Sequence, residues 1–268
     1  MSQRRALLAS AGSGLSAAGD LYALAGDTLL AGVQGIARRS FPWREAINQA
    51  WFIASVCVLP AILVAIPFGV LVAVEVGSVA HQIGADSYTG AVDALTIVRE
   101  AAPLVTALMI AGVGGSAICA DLGARKIREE LDALMVLGID PIKSLVVPRF
   151  LAVMSLCALM DVFALVFGTF GGMLATITHS APLGPFFATY FENATTTEFA
   201  ASLLKTAMFG AIIAVVCCYK GLTAKGGPEG VGRAVNQAVV ISFLAIGCID
   251  YVFTQTLLAT HPSLSHVR

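Results

Sequence analysis

Apolar residues in this chain come in long uninterrupted blocks rather than in short alternating runs. From Ala46 to Val74 no charged residue occurs, which exceeds the roughly 20 residues needed to cross a hydrocarbon core and leaves room for tilt or for kinks at Pro60 and Pro67. A second block runs from Ala101 to Ala120, bounded by Glu100 and Asp121. A third begins near Ser144 and ends near Thr178, interrupted by Asp161 and by Gly168, Gly171 and Gly172. Blocks at about 199–222 and 234–259 follow. Read as helices of at least spanning length, these predict five crossings at about 46–77, 101–120, 144–178, 199–222 and 234–259.

Ahead of the first block, Tyr22, Ala25, Leu29, Val33 and Ile36 fall at helical spacing, while Asp20, Asp27 and Gln34 recur at intervals of seven. That pattern predicts an amphipathic helix lying in the membrane interface, with Arg38, Arg39, Phe41, Trp43 and Arg44 as anchors; a helix packed on protein is the alternative. The chain thus divides into an interfacial region, 1–45, and a membrane domain, 46–268. Arg4 and Arg5 are not followed by a sustained apolar run, so no cleaved signal is expected.

Composition agrees with a membrane solvent: 57% hydrophobic and 12% charged residues are far from the about one-half and one-quarter of soluble domains. A formal net charge of -1 offers no basic surface for nucleic acid. Cys57, Cys119, Cys157, Cys217, Cys218 and Cys248 lie in apolar stretches without metal or disulfide spacing and are expected to be buried thiols. His81, His179, His261 and His266 are scattered, so no metal is expected.

Basic residues set the orientation. Arg4, Arg5, Arg38, Arg39 and Arg44 precede the first block, Arg125, Lys126, Arg128, Lys143 and Arg149 lie between the second and third, and Lys220, Lys225 and Arg233 lie between the fourth and fifth. Only Arg99, Lys205 and Arg268 fall on the other side. The imbalance predicts a multi-pass protein of the cytoplasmic membrane with its amino terminus inside and its carboxyl terminus outside. Small residues at four-residue spacing, Ala107, Ala111 and Gly115, then Gly112 and Ser116, then Gly168 and Gly172, suit close helix packing within or between chains.

Between the second and third blocks stands Asp121-Leu-Gly-Ala-Arg-Lys-Ile-Arg-Glu-Glu-Leu-Asp-Ala-Leu-Met-Val-Leu-Gly-Ile-Asp-Pro141. Ile127, Leu131, Leu134 and Met135 form an apolar stripe, opposite a charged face on which Arg125, Arg128, Glu129 and Asp132 make i, i+4 pairs of opposite sign. Gly138 can end a helix through a left-handed residue, and Pro141 prevents its resumption. A short amphipathic helix over about 124–138 is predicted at the cytoplasmic surface, either a loop helix on the headgroups or a docking element.

The run Glu130-Leu-Asp-Ala-Leu-Met-Val-Leu-Gly-Ile-Asp-Pro141, with Pro148-Arg149 after it, resembles the signature of the MlaE/YrbE permeases, membrane subunits of ABC lipid transporters. Ala120-Asp-Leu-Gly-Ala-Arg-Lys-Ile-Arg-Glu-Glu130, Cys218-Tyr-Lys-Gly221 and Gly226-Gly-Pro-Glu-Gly-Val-Gly232 are most similar to the actinobacterial YrbE (A-type) subunits of Mce systems. Many members carry Ala-Glu-Leu where this chain has Ala120-Asp121-Leu122. The resemblance implies an all-α membrane protein with an interfacial helix, five crossings and a coupling helix held in a groove of a cytoplasmic ABC ATPase. Arg128, Glu129, Glu130, Leu131, Asp132, Leu134, Gly138 and Pro141 would be its coupling residues. It further implies a homologous YrbE-type permease partner, Mce substrate-binding proteins on the outer side, and a lipid, fatty acid or sterol cargo. That cargo would pass between the permeases along the first, second and fifth spans.

The chain itself has no G-x-x-x-x-G-K-[ST] loop, so ATP and Mg would be bound by the partner, and neither catalysis nor a cofactor is expected here. Gly112, Gly114 and Gly115 lie inside a span and suit packing rather than nucleotide binding. Glu75, Asp161 and Asp250 interrupt apolar blocks and need satisfaction by protein, water or a partner, since a charge facing lipid at mid-membrane costs on the order of 3 kcal/mol. Lys205 is expected to snorkel to the surface. A proton-coupled secondary transporter using Asp161 or Asp250 is the rival class, though no internal repeat supports it. A lipid-modifying enzyme would need a catalytic constellation at one depth, which is not found.

Overall fold

The computed structural model describes residues 2–37, 41–82, 84, 89–178 and 183–261, with side chains from Gly19 onward except at Ile36 and His81. Ten α-helices and no strand occur among the described residues. Helix α1 (Ser2–Ala37) leads into α2 (Trp43–Gln82), and α3 (Thr89–Thr96), α4 (Ala102–Met109) and α5 (Ser116–Ile127) form one rod joined by π-turns at Ile97–Ala101 and Ile110–Gly115. After the short α6 (Glu130–Val136), a π-turn at Ile142–Val146 opens α7 (Val147–Thr178). Helices α8 (Leu183–Asn193), α9 (Thr196–Leu222) and α10 (Gly227–Thr260) complete the chain.

Five helical stretches are long and apolar enough to span a membrane: Trp43–Ala80, Thr89–Ile127, Ile142–Thr178, Thr196–Leu222 and Gly227–Thr260. At about 1.5 Å rise per residue each exceeds an approximately 30 Å hydrocarbon core, so each tilts or projects beyond it. The second begins at Thr89 rather than near Ala101, because Arg99 and Glu100 are inside the helix and not at its edge. Helix α8 has no counterpart in the predicted elements.

Backbone contact holds the bundle together. Gly69 of α2 lies against the Gly168 carbonyl of α7, and Gly171 against the Ile66 carbonyl, with no room for a Cβ on either glycine. Gly210 of α9 approaches α7 so closely that a methyl there would sit 2.8 Å from the Val153 carbonyl oxygen. Gly221 meets α5 likewise, 2.8 Å from Leu122 Cβ and 2.9 Å from the Cys119 oxygen. Such contacts replace the hydrophobic effect, which cannot pull helices together inside lipid. Gly114 and Gly115, facing Ile53 and Cys217, belong to this set, whereas Gly112 meets nothing within 4 Å.

The main core joins Ile53, Ile118, Leu122, Val153, Phe209, Ile213 and Ile246, and a second cluster gathers Ala65, Ile97, Leu165, Phe186 and Tyr190 where α8 covers α3 and α7. The Tyr190 hydroxyl fixes α8 to α7 by a 2.6 Å hydrogen bond with Thr169 Oγ1. Five of the six cysteines are buried, but Cys248 is exposed on α10, contrary to expectation. Among the described residues no group of His, Cys, Asp or Glu could hold a metal ion, and His179 and His266 lie outside them.

On α1 the side turned to the protein carries Leu24, Thr28 and Gly32, the last against Val147. Tyr22, Leu29 and Val33 of the expected apolar stripe point away from the bundle, as does Asp27, whereas Asp20 lies against Tyr219 of α9 and Gln34 lines a cavity with Lys143 and Val147. The expected anchors Arg38 and Arg39 lie outside the described residues, while Phe41 packs with Ala46 and Val147.

Candidate functional site

Two places concentrate chemistry: the segment between α5 and α7, and a set of buried charges toward the opposite end of the bundle. The segment is not the single helix expected over 124–138. Helix α5 stops at Ile127, Glu129 adopts the left-handed conformation at φ 59°, and α6 starts at Glu130. The ion pairs follow that break. Arg125 turns back to Asp121 at 3.2 Å, Lys126 reaches Asp132 across the bend at 2.9 Å, and Arg128 meets Glu130 at 2.7 Å. The helical pairs Arg125 with Glu129 and Arg128 with Asp132 are therefore not made.

The stop beyond α6 is the one expected. Gly138 is left-handed at φ 75°, with Ile139 N bonded to the Leu134 carbonyl at 2.9 Å and Gly138 N to that of Met135 at 3.0 Å, a Schellman motif. Asp140 Oδ1 then accepts from Ile142 N at 2.9 Å, and Pro141 leads into the π-turn. Of the expected apolar stripe, Leu131 is buried within the chain and Leu134 half-buried, so neither is freely available to a partner. The exposed apolar residues are Met135, Val136, Leu137 and Ile139, and Val136 is 88% exposed. Their exposure comes from α6 ending early and turning its last residues outward, which a helical stripe drawn through Gly138 does not anticipate.

The buried charges converge from three rods. Arg99, in the π-turn after α3, forms a close bidentate pair with Glu198 of α9. Thr195 caps α9 by accepting from Glu198 N at 3.4 Å, which fixes the start of that helix. Lys205, one helical face further along, has a side chain only 3% exposed. Its ammonium donates to Glu100 Oε2 at 3.1 Å, the Arg99 carbonyl at 2.9 Å and Thr254 Oγ1 at 3.0 Å, and it contacts Asp250 Oδ1 at 2.5 Å. Thr254 in turn donates to Glu100 Oε1 at 2.9 Å. Lys205 is thus the junction of α9, α10 and the second span, not a residue extended to the surface.

Asp250 has the partner its position demands. Asp161 is fully buried and accepts from Ser202 Oγ at 2.6 Å, while its other oxygen has no hydrogen-bond partner among the described residues. Glu75 remains on the exposed side of α2. The structure adds Asp93, which sequence reasoning missed: it is 1% exposed, neither carboxyl oxygen has a hydrogen-bond partner among the described residues, and the carboxyl lies over Gly172, leaving no room for a side chain there. Arg99, Glu100, Glu198 and Lys205 were also not anticipated as a group. The signal that could have found them is the Arg99-Glu100 pair with Lys205, three charges adjoining apolar blocks at matching distances from the outer ends.

This architecture, a five-span bundle with a charged turn between the second and third spans, is that of a multi-pass membrane protein. Residues 46–256 match the family of permease MlaE, and the chain belongs to that family. It is 34% identical to a "Probable ABC transporter permease protein" of Synechocystis sp. over 84% of both chains. A protein of the same description from Rickettsia bellii is 30% identical over 84% of this chain and 88% of the relative. The Arabidopsis thaliana chloroplast protein named trigalactosyldiacylglycerol 1 is 31% identical over 79% of this chain and 61% of its own length. The chain is therefore an ABC transporter permease homologue, a transmembrane rather than a catalytic subunit.

Proposed function

We propose that this chain is the YrbE A-type permease of an Mce lipid transporter in the cytoplasmic membrane, and that a separate ABC ATPase docks on the 128–141 segment. The observation that carries the docking reading is the exposed apolar end of α6, Met135 to Ile139, on a turn whose shape is fixed by the Schellman motif and by ion pairs within the segment. A preshaped apolar knuckle with charges around it fits a groove on a partner, with burial supplying affinity and charge supplying orientation. Glu130, Asp132 and Arg128 would ring the contact, while Leu131 and Leu134 hold α6 to its own chain.

Pairing with a homologous permease rests on two further features. Helices α2 and α10 are the least covered spans, with only 22% and 17% of their most apolar windows buried, against half or more for the other three. The crevice between α2, α4 and α7, lined by Ala65, Phe68, Val105 and Gly168, holds only about 10 Å³, room for about one water and far below the approximately 300–1,000 Å³ of ordinary ligand sites. A lipid, fatty acid or sterol needs more room, which a cavity between two permeases provides. The Arabidopsis relative bears the name of a glycolipid, in keeping with such a cargo. Mce proteins on the outer side would exchange lipid with that cavity, and ATP and Mg would be held by the partner ATPase. The apolar, exposed face of α1 would lie in the inner headgroup layer.

The test replaces both tip residues, Val136→Glu with Leu137→Glu, which contribute little to the chain's own core. The variant should insert and pair with its homologue but fail to retain the ATPase on co-purification. Retention of the ATPase at normal stoichiometry, with normal lipid transport, would refute the docking assignment.

A further inference from the structure

Arg149 is the largest fully buried side chain described. It stands just after Pro148, where the chain re-enters the bundle, and its Nη1 donates to the Leu145 carbonyl at 2.9 Å. Its Nη2 donates to Asp121 Oδ2 at 2.6 Å. Asp121 is on α5, shortly before the chain leaves the bundle, and the same carboxylate receives Arg125 Nε at 3.2 Å on each oxygen. One carboxylate therefore ties the departing strand of the turn to the returning one. Next to it, Leu122 packs against Gly221 of α9.

A guanidinium kept 1% exposed is tolerated only with a partner, and an apolar side chain would fill the same space without that demand. The position instead holds a planar guanidinium whose separate N–H groups reach Asp121 on one helix and the Leu145 carbonyl on the other by directional bonds. Along the backbone, force applied to α6 reaches the spans through two feet, α5 and the π-turn that opens α7. Unlinked feet would bend separately, and a rocking α6 would be absorbed in the turn. Linked feet move together.

We propose that Asp121 and Arg149 form a positioning pair that makes the two feet of the 128–141 segment move as one, and so sets how much of the ATPase's stroke reaches the spans. This rests on the docking reading above. The required chemistry is a carboxylate opposite a guanidinium, so glutamate at 121 should serve and asparagine should not.

The experiment uses the full chain with its homologous permease and ATPase in proteoliposomes, comparing wild type, Asp121→Asn and Asp121→Glu. Three quantities are read: ATPase retained, ATP hydrolysed, and lipid moved per ATP. Asp121→Asn should retain the ATPase and hydrolyse ATP near the wild-type rate while lipid per ATP falls about two- to thirtyfold, the range that changes along a coupling route produce. Asp121→Glu should restore most of it. If Asp121→Asn leaves lipid per ATP unchanged, or if Asp121→Glu is as impaired as Asp121→Asn, the pair has no coupling role. Should Asp121→Asn fail to accumulate, the double variant Asp121→Asn with Arg149→Met removes the stranded charge and carries the same expectation; normal lipid per ATP in it overturns the proposal. The Val136→Glu, Leu137→Glu variant run in parallel separates the two failures. ATPase retention there refutes docking itself, whereas ATPase loss there with an unaffected Asp121→Asn refutes the positioning pair alone.

Discussion

Replacing Lys205 by Met keeps an unbranched stem of similar length and removes the ammonium shared by Glu100, Asp250, Thr254 and the Arg99 carbonyl. The cost depends on which acceptors can find another partner. Glu100 is 35% exposed and keeps the Thr254 hydroxyl, so it can rehydrate. Asp250 is 14% exposed and Lys205 is its one ion-pair partner among the described residues, so it carries most of the penalty. Stranding one member of a buried pair costs about 3–5 kcal/mol, and the relief available to Glu100 places Lys205→Met near the lower end, roughly a 150-fold loss in the folded-to-unfolded ratio.

Asp250→Asn is the gentler change, because Lys205 keeps Glu100, Thr254 and the Arg99 carbonyl. It should cost about 1 kcal/mol, because what is lost is an ion-pair contact outside hydrogen-bond geometry while Lys205 keeps its three hydrogen bonds. The double variant Lys205→Met, Asp250→Asn should be more stable than the sum of the two changes predicts, by on the order of 1–3 kcal/mol, because the stranded charge is gone. Reversible unfolding in mixed detergent micelles, followed by circular dichroism, gives all three values. Lipid transport by the Asp250→Asn complex should stay close to wild type. A Lys205→Met loss under about 1 kcal/mol, or strict additivity in the cycle, would refute the junction role. Loss of transport in an intact Asp250→Asn complex would instead favour a proton relay.

Two other predictions follow from packing and from charge placement. Gly171→Ala must push α2 and α7 apart at the Ile66 carbonyl and should cost about 1–3 kcal/mol, whereas Gly112→Ala, which meets nothing within 4 Å, should be neutral in the same unfolding assay; equal effects would refute the contact. A cysteine placed at Glu229 should react only with reagents on the cytoplasmic side and one placed beside His266 only from outside, and the reverse labelling would overturn the orientation drawn from the basic residues.

What could be read in the sequence was what depends on neighbours along the chain. Uncharged length fixed five spans, and Gly138 with Pro141 fixed the end of α6, since a left-handed glycine and a proline act within a few residues. The second span was drawn too short because Arg99 and Glu100 look like a boundary until Glu198 and Lys205, about a hundred positions away, are known to receive them. Lys205 was misread for the same reason. The bend at Glu129 was hidden because a non-glycine residue takes φ 59° only when its surroundings compensate, here through Lys126 and Asp132 facing each other across it.

Glycine contact and charge pairing act at different depths of the bundle, and together they decide what can move. Gly69, Gly168 and Gly171 bring α2 and α7 to backbone distance, as Gly210 and Gly221 do for α9 against α7 and α5. Helices in such contact cannot slide past one another without driving carbonyl groups into Cα atoms, so shear within these pairs is disfavoured. At the other end Lys205 joins α9, α10 and the second span through directional bonds that lose their partners if any one of the three rotates. On the docking reading proposed above, movement passed to the exposed tip of α6 would meet stiff packing above it. The compliant surfaces are the outward faces of α2 and α10, the least covered spans of this chain and the ones left to a second permease or to lipid.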